Sequence, residues 1–199
     1  GMVNRLVDHS DPLVSALLDK AMISLVPNMN PDGSRRGHLR TNAVGANLNR
    51  EWDKASPENS PEVLCVLEKM QQTGLDFALD VHGDEALPYN FIAGTEGIPG
   101  WNKERQQQLD LFKTTLAKIN PDFQVEHGYP SNSAGTANMS YCSNALAERF
   151  GALVMTLEMP FKDTTATPDQ FQGWSPERCG KLAHSCLDSL HLCWDQVIR

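Results

Sequence analysis

The sequence predicts an α/β fold with a mixed, mostly parallel sheet flanked by helices. Three observations carry that expectation. Segments 75–82 and 152–159 alternate apolar and polar residues with the period of a strand. Helix-period stripes separate and flank them, the cleanest being Cys179, Leu182, Ala183, Cys186, Leu187, Leu190, Cys193, Trp194 and Val197. Strands that alternate with helices point to layers built on one sheet. No repeat, low-complexity tract or linker interrupts the 199 residues, so positions 1–199 are read as one domain.

Taken in order, Gly1-Met2 reads as a processing scar ahead of a start methionine. Asp11-Pro12 opens a first helix carrying Leu13, Val14, Leu17 and Leu18. Residues 22–26 form a short apolar run halted by Pro27, expected to be a strand. Asn30-Pro31-Asp32-Gly33 is expected to be a tight turn. Segment 34–52 lacks apolar periodicity and holds Arg35, Arg36, Arg40 and Arg50; long irregular stretches of this kind are usually functional or disordered. Ser60-Pro61-Glu62 opens a helix that turns Val63, Leu64, Leu67 and Met70 inward and ends at Gly74. The strand 75–82 follows and is expected to lie in the core and to stop at Gly83. Residues 90–94 read as a short strand and 97–100 as a loop. A helix from about Trp101 presents Leu109, Phe112, Leu116 and Ile119 on one stripe until Pro121 stops it. Segment 129–135 is a loop, 137–150 a weak helix, 152–159 a strand and 162–172 a polar loop; Ser175-Pro176-Glu177 caps the last helix.

Seventeen Lys and Arg against twenty-five Asp and Glu give a net charge of −8, which argues against nucleic acid as a partner. No apolar run reaches the ~20 residues of a membrane span, so no membrane partner is expected. The five cysteines lack any CxxC spacing and fit a reducing, cytoplasmic compartment.

Four groups of residues have the chemistry of a site. His82 stands at the carboxyl end of its strand, the edge where open α/β sheets bind ligands. Its imidazole suits a metal, with Asp80 on the same face to orient it; the alternative is a histidine that merely closes a strand. Glu158 lies in an apolar strand, where a carboxylate is costly unless it is paired or at work; the alternative is a glutamate turned to solvent. Asn49 and Arg50 put an amide beside a guanidinium fork, suited to gripping a carboxylate. Arg40 has the charge to polarise a carbonyl. For both arginines the alternative is a solvated loop. His38, His127, His184 and His191 read as loop, packing or surface residues.

Taken together, NPDG at 30–33, Arg40, GANLNREW at 45–52, DVHG at 80–83 and TLEM at 156–159 resemble the zinc metallocarboxypeptidases of the M14 type, most closely the cytosolic carboxypeptidase branch. The resemblance implies that His82 is the third zinc ligand and Glu158 the general base. It implies that Asn49 and Arg50 clamp the substrate's terminal carboxylate and that Arg40 polarises the scissile carbonyl. The implied partners are peptide or protein C-termini, and Arg35, Arg36 and Arg40 suit acidic ones. The family's substrate-covering tyrosine has two candidates, Tyr129 and Tyr141. Its first two zinc ligands come from an HxxE segment ahead of NPDG. Here the only upstream histidine is His9, and Pro12 stands where the glutamate belongs. The sole HxxE, His82 to Glu85, reads as chance, because a turn does not hold the two on one helical face. The chain is therefore expected to begin after that motif, to lack the opening strands and to self-associate through the uncovered edge. With one of the three ligands a catalytic zinc needs, it is expected to hold zinc weakly or not at all on its own. The rival functions are a zinc deacylase of N-acyl amino acids and a non-catalytic carboxylate-binding domain.

Overall fold

The computed structural model describes residues 1–198. Seven helices and three strands run in the order α1 (Met2–Leu6), α2 (Pro12–Leu18), α3 (Pro31–Arg36), α4 (Pro61–Thr73), β1 (Phe77–Asp84), β2 (Phe91–Ala93), α5 (Lys103–Ile119), α6 (Cys142–Phe150), β3 (Leu153–Pro160) and α7 (Pro176–Val197). A 3-10 turn, Leu48–Arg50, interrupts the irregular segment before α4. The sheet has the order β1-β3-β2, with β1 parallel and β2 antiparallel to β3. The α/β expectation with a mixed, mostly parallel sheet therefore holds.

β3 is central and almost wholly buried, which explains its near-continuous apolar sequence. Leu153, Met155 and Leu157 face a core built with α2, α5 and α7. Val154 and Ala152 face a second core built with α4, α6, Leu48 and Trp52. The helical stripes behave as expected where they are strongest. Val63 and Leu67 of α4, Leu109, Phe112 and Leu116 of α5, and Leu182, Cys186, Leu187, Leu190, Cys193 and Val197 of α7 are buried. Full burial of one such side chain contributes about 1.5–3 kcal/mol, so α5 and α7 clamp their face of the sheet firmly. Among the described residues every cysteine is a free thiol. No described helix is long and apolar enough to cross a membrane.

Several local expectations are corrected. Residues 22–26 form no strand among the described residues: Met22, Leu25 and Val26 are exposed and have no strand to pair with. Asn30-Pro31-Asp32-Gly33 begins a helix rather than closing a turn. The Asn30 side chain accepts the Gly33 N–H at 3.0 Å, Pro31 takes the first helical position, and Gly37 ends α3 in the left-handed region at φ 73°. The weak helix expected over 137–150 is confined to α6, because Tyr141, its N-cap residue, is extended. Ile119 turns outward at the end of α5. β1 is an edge strand among the described residues and leaves Val81 54% exposed, so it is less interior than its alternation implied. Nor does β1 stop at Gly83; it continues to Asp84. The glycine lets the Phe161 ring lie against the strand, where a Cβ would make that ring shift.

Candidate active site

The strands' alternation builds the site. Ala78, Asp80, His82 and Asp84 share one face of β1, and Val154, Thr156 and Glu158 share the same face of β3. That face changes from apolar to polar toward the carboxyl ends of the parallel strands. His82 stands directly beside Glu158 in the parallel register, and Phe91 of β2 flanks Glu158 on its other side.

Each of these side chains has a defined environment. His82 Nε2 lies 2.9 Å from Asp80 Oδ2. That hydrogen bond holds the imidazole's pKa above its ordinary value against the opposing effect of burial, and it leaves Nδ1 as the ring nitrogen free to meet a ligand. Glu158 is only 6% exposed, and its Oε2 has no hydrogen-bond partner among the described residues. Burial pushes its pKa upward, and the Asp84 and Asp80 charges add to the shift. Tyr129 reaches in from the loop after α5. Its hydroxyl donates to Asp84 Oδ2 and lies 3.5 Å from Glu158 Oε1, while its ring meets Phe91 edge-on at 4.9 Å. Burial and the neighbouring carboxylates raise the phenol's pKa, so it remains a donor. Asp84 is buried, which alone would raise its pKa, but the Tyr129 hydroxyl and the Leu87 and Ala86 N–H groups hold it below the usual carboxylate range.

Asn49 and Arg50 arrive from a different part of the chain. The Asn47 side chain caps their 3-10 turn. Asn49 Oδ1 accepts the backbone N–H of Cys142 at 2.8 Å, and the Arg50 guanidinium lies 4.0 Å from the centre of the Tyr141 ring. Both contacts dock the turn on the head of α6. That head sits over the polar face: Ser143 accepts a hydrogen bond from Thr156 at 3.1 Å, and burial, with the Asp80 charge adding to it, pushes the Cys142 thiol's pKa up. Arg40 lies at the rim, half-exposed and 3.7 Å from Glu85, close enough for its charge to act on His82. The four groups singled out in the sequence therefore converge on one end of the sheet. Glu158 is buried, not turned to solvent, and His82 pairs with it in register.

Asp84, Tyr129 and Cys142 complete the constellation. Asp84 continues the i, i+2, i+4 series from Asp80 and His82, a signal masked by the strand end expected at Gly83. Tyr129 and Cys142 carry no local signal, because loop and helix geometry bring them in. His38 bonds the carbonyls of Thr41 and Asn42, and His127 stacks on Tyr89 at 4.4 Å, so neither serves the site directly.

A family profile of the zinc carboxypeptidases, peptidase M14, matches residues 1–171. The chain belongs to the M14 zinc carboxypeptidase family. An uncharacterized protein of Zymomonas mobilis is 51% identical over 99% of this chain and 52% of its own length. Human cytosolic carboxypeptidase 6 is 28% identical over 62% of this chain and 25% of its own length. A metallo-carboxypeptidase from Pseudomonas aeruginosa, solved in complex with (2-guanidinoethylmercapto)succinic acid, superposes with a TM-score of 0.95 at 41% identity; the match covers 98% of this chain and 52% of that one. The chain thus spans about half the length of these bacterial relatives and a quarter of the human one.

The family uses zinc, and the donors here meet that requirement only in part. His82, held by Asp80, has the donor chemistry of one such ligand. Among the described residues no group of three His, Cys, Asp or Glu side chains converges as a metal site. A catalytic zinc takes three protein ligands, and among the described residues His82 is not joined by two more such side chains in one cluster.

Proposed function

We propose that this chain forms the substrate-gripping and proton-transferring part of a metallocarboxypeptidase-type hydrolase acting on C-terminal residues of peptides or proteins. The observation that supports this best is Glu158: a buried carboxylate with one oxygen unpartnered, beside an oriented imidazole, at the sheet edge that also receives Asn49 and Arg50. Arg50 and the Asn49 amide would hold the terminal carboxylate of the substrate by charge-assisted hydrogen bonds. Gripping the chain end sets the last peptide bond at a fixed distance, which is what makes an exopeptidase. Glu158, whose pKa burial raises above the ordinary carboxylate value, suits a base that accepts a proton from water and returns it to the departing amine. Arg40 at the rim is placed to stabilise charge on the scissile carbonyl oxygen, and with Arg35 and Arg36 it favours acidic chain ends. The succinic acid derivative held by the Pseudomonas aeruginosa relative is itself a carboxylate ligand, which accords with a carboxylate clamp. Cytoplasmic residence fits the free thiols.

A calorimetric titration tests the reading: a short peptide ending in glutamate, set against the same peptide as its C-terminal amide. The free acid is expected to bind and the amide to lose about tenfold or more in affinity, as is Arg50→Ala with the free acid. Equal binding of acid and amide would overturn the clamp. The single imidazole favours a second reading, a carboxylate-binding domain without turnover. Recovery of bound peptide intact in the presence of zinc would select it.

A further inference from the structure

Tyr141 and Cys142, at the head of α6, each hold one member of the Asn49–Arg50 pair. The Cys142 backbone N–H donates to Asn49 Oδ1 at 2.8 Å. A main-chain N–H can only donate, so the carbonyl half of the Asn49 amide is committed to the helix and its NH₂ half is left to face a ligand. The Arg50 guanidinium carbon lies 4.0 Å from the centre of the Tyr141 ring, a stacking distance, and Nη1 of the same group donates to the Asn49 carbonyl at 2.5 Å. Tyr141 is itself held in place. It is the extended N-cap residue of α6, its N–H donates to the Asn138 carbonyl at 3.3 Å, and its carbonyl accepts the Ala145 N–H at 3.0 Å. We propose that Tyr141 is a positioning residue: its ring fixes the plane of the Arg50 guanidinium, so that the clamp meets a chain end with N–H donors alone.

Two contacts on one guanidinium divide the work. The ring covers its face and sets its plane, and the Asn49 carbonyl sets its rotation within that plane, so the remaining N–H groups point in fixed directions. A free carboxylate offers such a clamp two acceptor oxygens, whereas a C-terminal amide brings its own NH₂ against the donors. Preference for the acid therefore depends on the guanidinium keeping its plane. Without the ring the long arginine side chain swings, and the paired grip on the carboxylate is lost while contacts to the rest of the peptide remain. Phenylalanine keeps the ring and leucine does not, so the two variants separate stacking from the hydroxyl.

The test has two readouts on the wild-type chain, Tyr141→Phe and Tyr141→Leu. In ¹⁵N spectra the Arg50 Nε–H resonance, assigned by its loss in Arg50→Ala, should lie upfield in the wild-type and Phe proteins under the ring current. In the Leu protein it should move to the position of a free arginine and gain mobility. In calorimetric titration with the glutamate-ended peptide, Tyr141→Leu should lose about fivefold in affinity for the free acid and nothing for the amide, and Tyr141→Phe should match wild type. Added to Arg50→Ala, Tyr141→Leu should cost nothing more. An unmoved Arg50 resonance in Tyr141→Leu would overturn the inference. So would Phe and Leu variants that change alike, or a further loss in the Arg50→Ala background, since that would mark disturbed packing of α6. The clamp's task rests on the function proposed above. Equal binding of acid and amide by wild type would remove that function, while the Arg50 resonance would still decide whether Tyr141 holds the guanidinium.

Discussion

Arg178, in the first turn of α7, ties down the segment that leaves Glu158, and its replacement is predicted to loosen that end of the fold. The guanidinium donates to Asp122 at 2.7 and 3.2 Å, to Asp163 at 3.0 Å, to the Gly173 carbonyl at 3.1 Å and to the Thr167 carbonyl at 2.8 Å. It also lies 4.9 Å from the centre of the Trp174 ring. The Arg178 and Asp122 side chains are 13% and 14% exposed, so removing the cation strands a nearly buried carboxylate. Breaking a buried pair by deleting one partner costs about 3–5 kcal/mol, and the lower end applies here because a thin exposed rim admits water. In a domain of this size about 3 kcal/mol corresponds to a fall of roughly 6–12 °C in Tm.

Arg178→Met should therefore melt about 6–12 °C below wild type at pH 7 by circular dichroism. Asp122→Asn in the Met background should restore about 1 kcal/mol or more, because it removes the stranded charge. The pH dependence follows from Asp122. Burial alone would raise its pKa, but the Arg178 and Thr167 hydrogen bonds outweigh burial and hold it below the usual carboxylate range. A group lowered in the folded state stabilises above its unfolded pKa of about 3.9, and that contribution disappears as the pH falls through the folded value. Wild type should thus lose stability below about pH 4 more steeply than Asp122→Asn. A loss under about 0.5 kcal/mol for Arg178→Met, or no recovery in the double variant, would refute the reasoning, because that is the range of an ordinary surface pair.

Two further outcomes are expected. Glu158→Gln should raise stability at neutral pH by about 1 kcal/mol while removing any hydrolysis, since it relieves a buried carboxylate kept for chemistry. The folded pKa of Glu158 is raised, so the carboxyl favours folding below its unfolded value of about 4.3 and loses that benefit as the pH rises; thermal melts should show the Gln gain at pH 7.5 and little at pH 4. Gly33→Ala should cost about 2 kcal/mol in urea unfolding, because a Cβ would overlap Asn30 Nδ2 and the Thr41 carbonyl, and it should weaken peptide binding by disturbing the loop that carries Arg40; an unchanged midpoint would show that the loop yields freely.

The sequence was most legible where a side-chain period meets a buried face. α5 and α7 repeat every three to four residues because a whole side of each helix packs on the sheet. β3 could be recognised from Leu153, Met155 and Leu157, yet its nearly complete burial follows from its central place, which only long-range pairing decides. Local chemistry misled where one signal serves two structures. Asn30-Pro31 starts a helix as readily as it makes a turn, because capping and turning use the same side-chain acceptor and the same fixed φ. Residues 22–26 have a strand's composition without a strand's partner. Gly83 looked like a break but answers a contact with Phe161, a residue 78 positions away.

The site shows the same division more sharply. Asp80 and His82 could be read as one face from their spacing alone, and Glu158 from its cost in an apolar strand, whereas Asp84 lay beyond the expected strand end. What the spacing could not contain is the order in which these groups constrain one another. Asp84 is satisfied three times over, by Tyr129 and two main-chain N–H groups, whereas Glu158, two residues back in the register of the neighbouring strand, keeps an oxygen unpartnered. Two buried carboxylates on one face are thereby driven apart, one held ionised by donors and the other raised by burial and the neighbouring acidic charges. That divergence marks which of the two is structural and which is free to take a proton. At Glu158 burial outweighs the long Tyr129 contact, whereas at Asp84 the Tyr129 hydroxyl helps to outweigh burial, and that donor comes from a loop whose sequence carries no periodic signal.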